Sequence, residues 1–186
     1  MKGILWHLIQ IMLFRSSPAV LPRSTVVLVS VAVLSFLAAL LSYETPLEEG
    51  VERAPLALLM LISLGVYAIY YGLLRFYNRG DRTVQTLTAV IGTETIINIL
   101  ITLWALVSLT LSLPDVLSAN VFLALFVWSI VISARIMADA LDWPLFGGAI
   151  LVVTLHILVL SVLFNSSGPA SPDVAWLLPL GGDSLI

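Results

Sequence analysis

The sequence predicts an all-α protein: a polytopic bundle of five transmembrane helices preceded by a short N-terminal interfacial helix. Three observations carry this expectation. Charge-free windows run from Arg23 to Glu44, Arg53 to Arg75, Glu94 to Asp115, Asp115 to Arg135 and Asp142 to Asp173, each close to the roughly twenty apolar residues a helix needs to cross hydrocarbon. The composition, 60% hydrophobic and 10% charged with a mean hydropathy of +1.11, lies far from that of soluble domains. The apolar runs are continuous rather than alternating, which excludes a β-barrel, and lipid offers backbone amides no partner outside a helix.

The elements follow in order. Lys2 and the apolar run Ile4 to Phe14 imitate a signal peptide, but Arg15 ends the run and Ser16-Ser17-Pro18-Ala19 is a poor cleavage site, so a retained segment is expected. The run is too short to span, and Gly3, His7 and Gln10 share one side of it; this is the interfacial helix. Pro18 and Pro22 break it. The five spans are placed at Thr25 to Tyr43, Pro55 to Tyr77, Val84 to Leu111, Asn120 to Asp139 and Pro144 to Phe164. Pro55 and Pro144 stand in first turns, where helices tolerate proline. The chain thus divides into an interfacial helix and linker (1–23), a transmembrane domain (24–165) and an external tail (166–186).

Orientation follows from lysine and arginine. Lys2, Arg15, Arg23, Arg75, Arg79, Arg82 and Arg135 fall on one side of the spans, and only Arg53 on the other. The positive-inside rule then puts the N-terminus in the cytoplasm and, after five spans, the C-terminus outside. The acidic connection with Glu44, Glu48, Glu49 and Glu52 becomes external, and a bacterial inner membrane is the simplest home.

Ionisable residues within apolar helices are costly and mark the places where chemistry or helix association occurs. Glu94, Asn98 and Thr102 recur at steps of four in the third span, which predicts one shared face. His156 in the fifth span reaches a similar depth. Arg135, Asp139 and Asp142 follow at steps of four and three near the cytoplasmic surface. Two readings compete for the cluster Glu94, Asn98, Thr102, Arg135, Asp139 and His156. In one, it binds helices together, with Arg135 and Asp139 as a local pair and Glu94 hydrogen-bonded by Asn98 or His156. In the other, Glu94 and His156 titrate along a proton or cation path with Arg135 as counter-charge. The small residues Gly65, Ala68 and Gly72 in span two, and Ser129 and Ser133 in span four, are expected to pack within the bundle. Tyr67, Tyr70, Tyr71, Tyr77 and Trp143 are expected as interfacial anchors.

The passage from Leu73 to Thr93, LLRFYNRGDRTVQTLTAVIGT, resembles the Yip1 family of small five-span membrane proteins, as do the topology and the segment Trp128 to Trp143. In that family a glycine-containing cytoplasmic turn precedes a third span with an early small residue. The Asp-Leu-Tyr-Gly-Pro motif of eukaryotic members is missing, and Gly92-Thr93 stands where they carry Gly-Tyr. Their trafficking and small-GTPase roles are therefore not implied.

Several classes drop out. With no cysteine and two histidines, no thiolate chemistry, disulfide or histidine-rich metal site is expected. No phosphate loop, catalytic triad spacing or His-Glu-x-x-His helix is present, so no catalytic residue, cofactor or enzyme activity is expected. No basic run suits nucleic acid. The expected function is that of an accessory or scaffold subunit of a larger membrane assembly, with membrane lipids and other subunits as partners. The alternative is a channel or proton-coupled transport component using Glu94 and His156. In the tail, Trp176, Leu177 and Leu178 form an apolar cluster suited to partner contact.

Overall fold

The computed structural model of the protein describes residues 3–44 and 54–166, and the described residues form helices and turns without strands. Six helices follow one another: α1 (Ile4–Met12), α2 (Thr25–Glu44), α3 (Leu56–Phe76), α4 (Thr83–Thr110), α5 (Asp115–Leu141) and α6 (Leu145–Ser166), with 3-10 turns at Pro18–Val20 and Gly80–Arg82. The fold is an all-α bundle, and five of its helices are long and apolar enough to cross a membrane. Helix α5 begins five residues before its expected start at Asn120. Pro114 leads into its first turn, and Asp115 stands where a negative charge meets the positive end of the helix dipole.

Helix ends are set by residues in the left-handed region. Asn78 (φ 57°) follows α3 and Asp142 (φ 56°) follows α5, the residue types that tolerate this conformation best after glycine. The Trp143 amide then donates back to the Ala138 carbonyl at 2.9 Å, satisfying one of the last carbonyls of α5.

Helix α4 is the hub, packed by α1, α2, α3 and α5. Its first half is buried on nearly all sides, from Thr83 to Ile97, as expected of an element with no solvent or lipid face. Threonine hydroxyls at 86, 88, 93 and 95 fold back onto carbonyls four residues earlier at 2.6–2.9 Å, which hides their polarity inside the helix. Helix α2 runs beside α4, tied at one end by Arg23 to Gln85 and towards the other by Ser42 to Thr102. Helices α5 and α6 approach closely at Gly148, where a Cβ would run into the Ala134 carbonyl.

The buried residues concentrate at one end of the bundle, the end carrying Arg23, Arg79, Arg82 and Asp142. Helix α3 buries only Tyr70 and Leu74, in its last two turns, and α5 buries residues from Ile132 to Leu141. Towards the far end, α2 and α4 flank a cavity of about 400 Å³ that reaches Ser42 and Leu106.

Helix α1, too short to span, packs one face against the bundle and leaves the other open. Leu8, Ile11 and Met12 are buried in the core, and Leu8 meets Gly92, nine residues into α4 and so roughly 14 Å along it at 1.5 Å per residue. The physical reason is the missing Cβ: Gly92 leaves a notch that an isobutyl side chain fills. Leu5 and Trp6 remain exposed.

Candidate functional site

Four of the six residues expected to cluster fall into two places, and Asn98 and Thr102 lie in neither. The first is a cavity of about 140 Å³ between α3, α4 and α6, on which Tyr67, Tyr70, Glu94 and His156 converge with apolar neighbours. Tyr67 Oη donates to Glu94 Oε2 at 2.7 Å, joining α3 to α4. His156 faces the same cavity, but its Nδ1 is 2.8 Å from the Val152 carbonyl of its own helix and its ring stands edge-on to Phe126 at 5.7 Å. The expected partners of Glu94, Asn98 and His156, are thus replaced by Tyr67. Tyr67 and Tyr70 are likewise no interfacial anchors: Tyr70 is 1% exposed, in the core. Tyr71 and Tyr77 are exposed, and Tyr77 meets Trp143 edge to face at 5.1 Å.

Glu94, Asn98 and Thr102 do not act as one face. Eight residues advance a helix about 80° beyond two full turns, so Glu94 faces α3 while Thr102 Oγ1 lies 2.6 Å from Ser42 Oγ on α2. Asn98, between them, is exposed. Each inter-helix hydrogen bond of this kind gives modest but directional association within hydrocarbon.

The second place is a polar cavity of about 560 Å³ at the arginine-bearing end. Arg135 Nε lies 3.1 Å from Asp139 Oδ1 here, well away from the Glu94 cavity. Arg82 Nη1 donates to the Asp139 and Ala140 carbonyls at 3.2 and 3.3 Å and to Asp142 Oδ1 at 2.8 Å, and Arg79 pairs with the other oxygen of Asp142. This cross-link joins the α3–α4 turn to the α5–α6 turn. It also offsets a carboxylate placed at the negative end of the α5 dipole. The hydrogen bond from Arg82, with the charges of Arg79 and Arg82 beside it, holds the Asp142 carboxyl below the usual aspartate range.

Gln85 is a further organiser of this end that sequence reasoning missed. Its amide donates to the Ala19 and Leu21 carbonyls at 2.9 and 2.6 Å, and its Oε1 accepts from Arg23 Nε at 3.2 Å. The one sequence signal for it was a glutamine in the buried-helix run that follows Arg82. The small-residue faces are reassigned in part. Gly65, Ala68 and Gly72 lie exposed, with nothing within 4 Å of the Cβ position at either glycine. On α5, Ser133 is buried as expected, whereas Ser129 Oγ bonds back to the Phe126 carbonyl, and the close approach to α6 uses Ala134 and Ala138 against Gly148. Trp176, Leu177 and Leu178 lie outside the described residues. Comparison of the chain with protein-family models, with curated proteins and with solved structures finds no match to any of them.

Proposed function

We propose that this integral membrane protein acts by contact, as an accessory or scaffold subunit of a larger membrane assembly, and that α3 is the helix it presents. The observation that carries this reading is the open Gly65, Ala68 and Gly72 face. Small residues in membrane helices gain by letting another backbone approach closely, whereas acyl chains gain nothing from a glycine over a bulkier side chain. Helix α3 fully buries only Tyr70 and Leu74 and is otherwise held on one side, through Val66 and the Tyr67–Glu94 bond, which leaves its small-residue side for a neighbour. The arginine-bearing end is cytoplasmic in this proposal, the membrane is a bacterial inner membrane, and the Yip1-like topology describes its lineage.

A second reading, a channel or proton-coupled component, draws on Glu94 and His156 facing one cavity. It ranks lower because Glu94 is bonded to α3 and His156 to its own helix, an arrangement that holds helices without a transported ion. Mild-detergent purification with mass spectrometry tests the first reading. The wild-type chain should bring down a membrane partner that a Gly65→Leu, Gly72→Leu double variant loses while still folding. A clean monomer from the wild type would refute the subunit role. Truncation after Asn165 determines separately whether the tail takes part in the contact.

A further inference from the structure

We propose that the cavity at the arginine-bearing end binds a phosphate-bearing anion. The proposal stands apart from the subunit reading, since no residue of α3 lines this cavity and no partner protein is needed. The cavity has about 560 Å³, within the range of small-molecule sites, and arginines from three separate elements converge on it. Arg23 precedes α2, Arg82 precedes α4, and Arg135 stands on α5.

Acidic residues offset these charges only in part: with Arg79, four arginines face the three aspartates Asp81, Asp139 and Asp142, which leaves one net positive charge. Asp142 is held by Arg82 and by Arg79 from outside the cavity lining, and Asp139 by Arg135. A guanidinium carries five N–H donors. The bonds here engage Nη1 of Arg82, Nε of Arg135, and Nε and the distant Nη2 contact of Arg23 with Asp81 at 3.8 Å, so donor capacity remains on all three. Planar guanidinium groups match phosphate oxygens two at a time, which an ammonium does not.

Arg23 is the informative member. Its side chain is 65% exposed, yet the locked amide of Gln85 grips its Nε. Holding a long, exposed cation in place costs side-chain entropy, and that cost is recovered when a ligand needs the cation there. Stability alone explains little of it, since exposed ion pairs and i,i+4 pairs such as Arg135 with Asp139 contribute weakly.

Two sources could supply the phosphate: a phospholipid headgroup or a soluble phosphate. The cavity lies at the helix ends beside Trp143, with exposed Val20 and Phe146 nearby in the chain, a setting in which a headgroup would enter with its acyl chains against apolar side chains.

The test uses the full chain in mild detergent, titrated with phosphatidylglycerol, with phosphatidylcholine and with inorganic phosphate, and read by native mass spectrometry. The variants are Arg23→Gln with Arg135→Gln, the single charge reversal Arg23→Glu, and Arg75→Gln as control. Arg75 stacks on Tyr71 outside the cavity. The wild type should retain phosphatidylglycerol in preference to phosphatidylcholine, and the double variant should bind it roughly tenfold or more weakly, the scale of losing charged hydrogen bonds. Arg75→Gln should match the wild type. If the double variant does not fold, Arg23→Glu, at an exposed position, must show the loss. Inorganic phosphate that binds with the same arginine dependence and displaces the lipid identifies a soluble ligand; lipid binding unaffected by it identifies the headgroup. Equal retention of both lipids without phosphate binding, or equal weakening by Arg75→Gln, would overturn the proposal.

Discussion

A methyl group placed at four different glycines measures where this bundle is tight. At Gly148 the new Cβ runs into the Ala134 carbonyl and lies 3.0 Å from both the Ala138 nitrogen and Cβ. Backbone cannot rotate away, so α5 and α6 must separate, at a cost near the upper end of overpacking, about 3 kcal/mol. The gain in helix propensity of alanine over glycine returns about 1 kcal/mol, which leaves Gly148→Ala destabilised by about 2 kcal/mol. At Gly92 the obstacle is the end of the Leu8 side chain, 2.8–2.9 Å away. Leucine can change rotamer, so Gly92→Ala should stay within about 1 kcal/mol of the wild type, with the strain appearing as loosening of α1. Gly65→Ala and Gly72→Ala meet nothing and should be neutral or stabilising by up to about 1 kcal/mol in the isolated chain. Unfolding in mild detergent, followed by helical circular dichroism against added dodecyl sulfate, ranks the four. A Gly148→Ala variant as stable as Gly65→Ala would refute the assignment of the close helix pair to α5 and α6.

Other outcomes follow from the same geometry. Tyr67→Phe and Glu94→Leu should each lose about 1 kcal/mol in that assay and show little further loss when combined, because both remove one hydrogen bond. Glu94→Gln keeps an acceptor for Tyr67 and should fold normally; if it also abolished a proton-linked activity, the transport reading would move ahead. The Asp142 carboxyl is depressed by Arg82 and Arg79, so its stabilisation is complete above the ordinary aspartate value of about 3.9 and is lost as pH falls through its lower, folded value. Asp142→Asn should therefore lower the thermal midpoint at neutral pH and flatten its decline in acid, and an unchanged acid profile would contradict the cross-link. Reporter fusions at Ile186 and in the turn between Arg79 and Arg82 should report opposite sides of the membrane; two cytoplasmic signals would remove the five-span topology.

The number and type of the long helices were legible in the sequence, and so were most of their limits, the start of α5 excepted. A run of some twenty apolar residues in lipid has no partner for its amides except itself, so helix is obligatory wherever such a run occurs, and prolines and charges mark its ends. Even Asp115, treated as a boundary of two windows, belongs to a helix start by the same dipole logic that makes acidic first turns stable. The facing of those helices was not legible. In a soluble bundle the polar stripe tells which side is inside, but here core and lipid are equally apolar, so the small-residue face of α3 reads the same whether it packs inward or stands open. Only the tertiary structure decided that Gly148 is tight and Gly65 open, that Leu8 fills the notch at Gly92, and that Tyr67 reaches Glu94. Long-range hydrogen bonds such as that of Gln85 with Ala19 and Leu21 join residues more than sixty positions apart. Local periodicity carries no information about such meetings, because they depend on how one helix is placed against another.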